Sequence, residues 1–242
     1  MRPLTDHCPK PLLTVQGKPL MQWPLEALGR AGMRDVLVNT AWLGEQIEAH
    51  FGACLRFAVD QGEAGGACDP VAPAAAVRLH YSAEGRDFGA ALETAGGIVR
   101  ALPRLADPFW VLAGDVFAPQ FDFAAAERAA FAASAELARV WLVPNPAHNP
   151  RGDFSLEQGG LAGNDGAVRY TYSTIGLYRH ALFAPPYGSI EPGNPHGVRA
   201  ALAPVLRSAV AQRKVGARLY TGPWVDVGTP ERLARLNQPS NA

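Results

Sequence analysis

Residues 108–115, Pro-Phe-Trp-Val-Leu-Ala-Gly-Asp (PFWVLAGD), set an apolar run directly against a glycine and a carboxylate. A short apolar run bounded by turn residues reads as a buried strand. The strand is predicted over Pro108–Ala113, so Asp115 stands just beyond its carboxyl end. Working outward, a helix is predicted before it over Leu92–Leu102, with Gly96 and Gly97 in its first turns, and another after it over Phe123–Leu137. A second apolar strand follows at Arg139–Val143 (RVWLV). The same alternation runs upstream. Leu12–Val15 is a short apolar run closed by Gly17. Pro19–Ala31 carries an apolar helical stripe stopped by Gly32, Asp35–Asn39 (DVLVN) is a buried strand, and Trp42–Phe51 is a helix ended by Gly52. Arg56–Val59 and Val77–Tyr81 read as strands, separated by a Gly-, Ala- and Pro-rich inserted loop, Gln61–Ala76. Downstream come a strand or strand pair at Arg169–Tyr178, a helix at Val198–Gln212, short strands at Arg218–Tyr220 and Trp224–Val227, and a final helix at Pro230–Leu236.

Strands alternating with helices at this spacing predict an α/β fold: three layers around a mostly parallel sheet, with the ligand at the carboxyl ends of the strands. The length, 242 residues, suits one domain over 1–242. A composition of 48% hydrophobic and 18% charged residues provides a core and argues against disorder. Lys plus Arg and Asp plus Glu both count 22, so the basic excess of a sequence-independent nucleic-acid binder is absent. No apolar run approaches the roughly 20 residues of a membrane span, and no signal-peptide pattern opens the chain. Three scattered cysteines, Cys8, Cys54 and Cys68, fit reduced thiols in a cytoplasmic protein.

Several strings could carry chemistry. In Arg2-Pro3-Leu4-Thr5 and Pro9-Lys10-Pro11-Leu12, prolines restrict the backbone around two cations and could hold them towards a polyphosphate; an ordinary Pro-rich surface loop is the plainer reading. Asp115 at a strand tip suits Mg²⁺, a hard cation that takes oxygen ligands, but also suits a turn. Asp226, set in Trp224-Val225-Asp226-Val227-Gly228-Thr229-Pro230, is flanked by apolar residues, where a carboxylate needs a partner or a metal; Thr229 can cap a helix whose first residue is Pro230. Glu93-Thr94-Ala95-Gly96-Gly97 opens a helix with small residues that admit a ligand to backbone amides, or merely permit close packing. Arg151-Gly152-Asp153-Phe154 reads as a sugar contact or a plain β-turn, and His148, His180 and His196 show no partner in the sequence.

Together these pieces resemble the nucleoside-diphosphate-sugar pyrophosphorylases, a family of sugar-1-phosphate nucleotidyltransferases. The carrying string is RPLT-DHC-PKPLL at Arg2–Leu13, followed in order by Gly17-Lys18-Pro19-Leu20, Gly32, the Asp35–Asn39 strand, Gly114-Asp115 and Asp226-Val227-Gly228. Within the family the resemblance is greatest to the short N-acetylmuramate α-1-phosphate uridylyltransferases of cell-wall recycling, through Val38–Gly44, Leu92–Ile98, Asn145-Pro146, Arg151–Phe154, Trp224–Thr229 and Glu231-Arg232-Leu233. The resemblance implies a Rossmann-like, glycosyltransferase-A-like nucleotidyltransferase, a nucleotide-binding part over 1–120 and a sugar-phosphate-binding part over 121–242, with no C-terminal β-helix. It implies UTP or another nucleoside triphosphate and a sugar 1-phosphate as substrates. Asp115 and Asp226 are then the Mg²⁺ ligands, Arg2 and Lys10 the catalytic cations, and Asp115, Glu93, Thr94, Gly96 and Gly97 the nucleotide side. Gly152 and Asp153 are the sugar side, and Asn39 is a substrate-binding residue near the nucleotide or sugar pocket. A cytoplasmic monomer without nucleic-acid or membrane partners is expected. Related enzymes acting on mannose or glucose 1-phosphate, and a regulatory homologue with impaired catalysis, are the alternatives.

The sequence departs from the family pattern in three places. The family opens with a strand and a Gly-rich loop ahead of R-P-L-T, and here Met1 stands where that loop would end. The expectation is a start placed about one strand and one loop late, roughly 15 to 20 residues. The intact Lys10, Asp115 and Asp226 favour it over a non-catalytic remnant. A sheet without that strand should carry two unpaired edges and exposed apolar faces. The other departures are the Gln61–Ala76 insertion and Ala95, where relatives often carry glycine.

Overall fold

The structure, a computed structural model, describes residues 1–57 and 75–238. The Gln61–Ala76 insertion lies outside the described residues except for its last two positions, which begin a strand. Cys8 and Cys54 are free thiols, and Cys68 also lies outside the described residues.

In chain order the first half comprises β1 (Thr14–Val15), β2 (Lys18–Pro19), α1 (Gln22–Arg30), β3 (Asp35–Thr40), α2 (Gly44–Phe51), β4 (Cys54–Phe57), β5 (Ala75–Ala83), α3 (Glu84–Phe88), α4 (Glu93–Ala101) and β6 (Phe109–Val111). The second half comprises β7 (Val116–Phe117), α5 (Ala125–Ala132), β8 (Ala138–Val143), β9 (Phe154–Leu156), β10 (Ala162–Gly163), β11 (Arg169–Tyr178), α6 (Leu202–Ala211), β12 (Val215–Leu219), β13 (Val225–Asp226) and α7 (Pro230–Leu236).

Where elements are shorter than their sequence pattern, a local competitor has claimed the residues. The two-residue turn Gln16-Gly17, with φ of 50° and 87°, closes the β1–β2 hairpin, so Pro19 is strand and α1 begins at Gln22. The helix predicted to Leu137 stops at Ala132, because the Ser134 hydroxyl donates to Phe131 O and accepts from the Glu136 N–H. The helix predicted from Val198 begins at Leu202. Residues 198–200 are tied instead to α4 and to the buried Asn194: Asn194 Nδ2 donates to Gly96 O and Val198 O, Ala95 and Gly96 N–H donate to Ala200 O, and Ala200 N–H donates to Leu92 O. The strand predicted over 108–113 is laddered only at Phe109–Val111.

The sheet is less parallel than the alternation suggests. Parallel ladders join β3 to β5 and β8 to β12, whereas β11 runs antiparallel to β8 along its length, to β9 at its start and to β6 at its end. The ten residues of β11 therefore hold the larger sheet, in the order β10-β9-β11-β8-β12 with β6 on β11. A second sheet, β3-β5-β4, stands apart from it.

Between the two sheets lies a cavity of about 820 Å³, lined by Leu25 and Leu28 of α1, Val36 and Val38 of β3, Ile98 of α4 and Val111 of β6. Among the described residues β3 is laddered only to β5, and β6 only to β11. The pair of unpaired edges expected from the sequence is thus found facing one slot, whose lining also includes Arg34, Asp35, His80, Arg104 and Arg128. Its lining includes Asn39, Pro11 and Gly114 at the carboxyl-end side of β3 and β6, so it opens onto the residues considered next.

Four apolar clusters hold the fold. One joins α4 and α6 to β8, β11 and β12 through Ile98, Val140, Leu142, Tyr178, Leu206 and Val215. A second packs α1 and α2 on β4 and β5. An aromatic cluster of Phe121, Phe123, Phe131, Trp141 and Trp110 sits beneath α5. A small one, Val15, Leu20, Phe117 and Val227, ties the β1–β2 hairpin to β7 and to the strand after which α7 begins.

Candidate active site

The Pro-rich N-terminal string folds into two short 3-10 turns, Leu4–Asp6 and Lys10–Leu12. Pro9 enters the second turn extended and Pro11 sits in its first positions, which fixes the backbone on both sides of Lys10. The rigid turn carries Lys10 Nζ to 3.2 Å from Asp115 Oδ2, across 105 positions of sequence. Arg2 goes elsewhere: it is 86% exposed and pairs with Asp6, 3.2 Å away on its own turn. The Trp42 indole N–H anchors the same turn by donating to Thr5 O.

Asp115 follows β6 and precedes β7, and β7 pairs antiparallel with β13 so that Val116 faces Asp226. Val227 N–H donates to Asp115 O at 2.9 Å. The two carboxylates proposed from sequence are therefore neighbours on one two-stranded ladder, each about one-third exposed. The α7 start supports them: Thr229 caps the helix by accepting from Arg232 N–H, with Pro230 at the first helical position. That places the Arg232 guanidinium on Asp226, donating from Nη1 both to the backbone carbonyl at 3.0 Å and to Oδ1. The other carboxylate oxygen, Oδ2, is met by His148 Nε2 at 3.2 Å. Among the described residues no group of three or more His, Cys, Asp and Glu side chains is set to hold a metal alone. A carboxylate pair fits Mg²⁺, which uses one or two carboxylates and completes its octahedron with water and substrate phosphates.

A second cluster forms where α4 meets the end of β3. Glu93 and Thr94 are exposed at the first turn, while Ala95, Gly96 and Gly97 are buried. Glu93 adopts a positive φ of 59° and pairs with Arg199 at 3.4 Å. A Cβ on Gly96 would lie 2.5 Å from Val198 O, and one on Gly97 would lie 2.4 Å from Glu84 Oε1 and 2.7 Å from Asn39 Nδ2. Both glycines are thus spacers that let α4 press on its neighbours, and the first-turn amides of Ala95 and Gly96 are taken by Ala200 O. Asn39, Glu84 and Gly97 are brought together. Glu84 is 4% exposed, and its Oε2 accepts from Leu92 N–H at 2.8 Å, which holds the turn before Glu93. Burial pushes the Glu84 carboxyl above its ordinary value, against the Leu92 hydrogen bond and the Arg100 charge.

The third group lies on the loop ahead of β9. Gly152 has φ of 63°, and a side chain there would strike Arg169 C and Asn145 Oδ1 at 2.8 Å. Asp153 Oδ2 accepts from Tyr172 N–H at 2.8 Å and from Asn149 Nδ2 at 3.1 Å. Thr171 accepts from Asn149 and donates to Asn145, which closes a polar network over β11. One carboxylate oxygen of Asp153 is thereby committed to the loop.

The structure thus brings Lys10 to Asp115, sets Asp115 beside Asp226 across the β7–β13 ladder, and brings Asn39 to Gly97; Arg2 stays apart in a local pair. Arg232, His148, Glu84 and Asn194 hold these clusters in place and were not selected as site residues by the sequence reading. Arg232 had a signal, its place three residues after the cap Thr229. His148 had none, since its partner is 78 positions away.

A family model described as nucleotidyl transferase matches residues 1–152. The chain is 43% identical to the N-acetylmuramate alpha-1-phosphate uridylyltransferase of Neisseria meningitidis, over 96% of this chain and 90% of that protein. Identity to the protein of the same description from Caulobacter vibrioides is 28%, covering 96% and 88%. Among solved structures, a Bacillus anthracis protein provisionally described as a glucose-1-phosphate thymidylyltransferase matches with a TM-score of 0.72 at 17% identity, covering 98% of this chain and 88% of that one. The structural match speaks for the fold alone. No helix among the described residues is long and apolar enough to cross a membrane.

Proposed function

The chain belongs to the nucleotidyl transferase family, and on that premise we propose that it converts UTP and N-acetylmuramate 1-phosphate to UDP-N-acetylmuramate and pyrophosphate, in cell-wall recycling. A phosphate oxygen of the sugar 1-phosphate attacks the α-phosphorus of UTP in line, and the bond from that phosphorus to the pyrophosphate oxygen breaks. No protein nucleophile is required, so catalysis is positioning and neutralisation of charge. Lys10 lies between the reacting phosphates as a point charge. Arg2 meets the departing pyrophosphate after leaving Asp6. Asp115 and Asp226 hold Mg²⁺, which when bound supplies Lewis-acid neutralisation at the α-phosphate. Glu93 and Thr94 face the uridine and ribose, with Gly96 and Gly97 setting the depth of that turn. Gly152 and Asp153 face the sugar side, and Asn39 lies near the nucleotide or sugar pocket. Residues 1–120 and 121–242 form the two halves of one domain, which works as a cytoplasmic monomer.

The observation that supports this reading best is the Lys10–Asp115 contact beside the β7–β13 ladder, which sets a cation and two carboxylates at one end of the slot. The test is product analysis with UTP, Mg²⁺ and N-acetylmuramate 1-phosphate, run beside glucose 1-phosphate with UTP and mannose 1-phosphate with GTP. The muramate sugar should be consumed with release of pyrophosphate, and Lys10→Met or Asp115→Asn should lower kcat about 10²- to 10³-fold. Turnover of mannose 1-phosphate with GTP alone would reject the substrate assignment. A second reading, a ligand-binding homologue with impaired turnover, draws on Arg2, which pairs with Asp6 rather than with the acid pair. UTP binding by calorimetry without product in any mixture would select it.

A further inference from the structure

Each carboxylate read as a metal ligand already has one of the chain's own cations on it, Arg232 on Asp226 and Lys10 on Asp115. Asp226 has Arg232 on Oδ1 and His148 on Oδ2, and Asp115 has Lys10 on Oδ2. The guanidinium is held in place independently of the carboxylate. Its Nη1 also donates to the Asp226 carbonyl at 3.0 Å, and its backbone N–H is bound by the Thr229 cap. His148 Nε2 lies 3.5 Å from the same Nη1, so this ring nitrogen either donates to the carboxylate or accepts from Arg232. Either way His148 closes the open side of Asp226, reaching it from the loop that carries Asn145, Asn149 and Asp153.

We infer that Arg232 and His148 are positioning residues that mask Asp226 until a metal arrives together with nucleotide. This inference rests on the reading of Asp226 as a metal ligand. A divalent cation entering alone must displace Arg232 from Oδ1 or His148 from Oδ2 and approach Lys10 as well, gaining two carboxylates whose charge is already balanced. A cation arriving on a triphosphate brings anionic oxygens that Lys10 and the displaced Arg232 can take instead. The exchange then costs no unpaired charge. The masked pair therefore discriminates against free metal and couples metal binding to nucleotide binding. Arg232 stays tethered by the Asp226 carbonyl and by its own helix, within reach of the phosphates.

The experiment is a titration of the full chain with Mn²⁺ alone, with free Mn²⁺ read by electron paramagnetic resonance, on the wild type and on Arg232→Gln, Arg232→Lys, His148→Gln and Asp226→Asn. Circular dichroism of each variant confirms folding. Removing one cation next to a partly exposed carboxylate should tighten Mn²⁺ binding roughly five-fold in Arg232→Gln. Arg232→Lys keeps the charge and should stay at the wild-type affinity, and His148→Gln should fall between them. Asp226→Asn should abolish the tightening when combined with Arg232→Gln. Unchanged or weaker Mn²⁺ binding in Arg232→Gln, while Asp226→Asn lowers the wild-type affinity, would overturn the masking and leave the metal-ligand reading intact. Mn²⁺ binding to Arg232→Gln that is indifferent to the added Asp226→Asn would overturn both.

Discussion

Glu84 offers a perturbation whose outcome follows from one hydrogen bond and one charge. Its carboxylate is 4% exposed at the start of α3, and Oε2 accepts from the buried Leu92 N–H at 2.8 Å. Burial raises its pKa above the value in the unfolded chain, outweighing the opposing Leu92 and Arg100 contributions. A carboxyl whose folded pKa is raised holds its proton more tightly in the folded state. Its favourable contribution is present below the unfolded pKa and is lost as pH rises through the folded one. Glu84→Gln keeps an oxygen for Leu92 N–H and removes the charge. It should be at least as stable as the wild type at pH 7, with the difference shrinking towards pH 4. Glu84→Ala leaves a buried donor unsatisfied, which costs about 1–3 kcal/mol. In a chain of this size each kcal/mol lowers Tm by roughly 2–4 °C, so a drop of about 2–12 °C is expected. Because Leu92 precedes the exposed Glu93-Thr94 turn, nucleotide affinity should fall in Glu84→Ala and persist in Glu84→Gln. Urea and thermal unfolding across pH 4–8 measure all three forms. Equal destabilisation of both variants at pH 7 would refute the reasoning, since it would mean that the charge rather than the acceptor is what Leu92 needs.

Two further outcomes follow from packing and charge. Gly96→Ala should destabilise by about 1–2 kcal/mol despite alanine's better helix propensity, because the added Cβ would sit 2.5 Å from Val198 O, a backbone atom that cannot swing away. Thermal unfolding checks this, and a rise in Tm would show that the 198–200 segment yields. Arg139 is 3% exposed, bidentate to Glu136 at 2.8 and 2.9 Å and bound to Glu127 at 2.9 Å. Arg139→Leu strands Glu136 and leaves Glu127 with Arg218 at 3.7 Å, and should cost about 3 kcal/mol. A urea midpoint within error of the wild type would sink that estimate.

Elements governed by neighbours in sequence were legible at their true bounds. The strand or strand pair read at Arg169–Tyr178 and the Thr229 cap with Pro230 match the bounds of β11 and α7. Bounds moved where another contact competed, from an adjacent turn or from elsewhere in the chain. Asn194 and Ala200 hold residues 198–200 out of α6, and the Gln16-Gly17 turn takes Pro19 from α1. Antiparallel pairing of β11 with three strands was likewise not readable from βα spacing. The candidate site divides in the same way. Lys10, Asp115 and Asp226 stand out because prolines, a strand tip and an apolar flank are local marks on the chain. Arg2 bears the same mark as Lys10, yet Asp6 four residues on holds it away from the acids.

The sequence by itself determined which groups could bear charge at a strand end, which segments would be strand or helix, and the family to which the chain belongs. Only the tertiary structure decided which charges meet. Lys10 reaches Asp115 across 105 positions, and Arg232 and His148 converge on Asp226 from a helix start and a distant loop. The physical reason is that periodicity and turn chemistry act over a few residues, whereas the neutralisation of a half-buried carboxylate is settled by whichever cation the packed strands bring within about 3 Å.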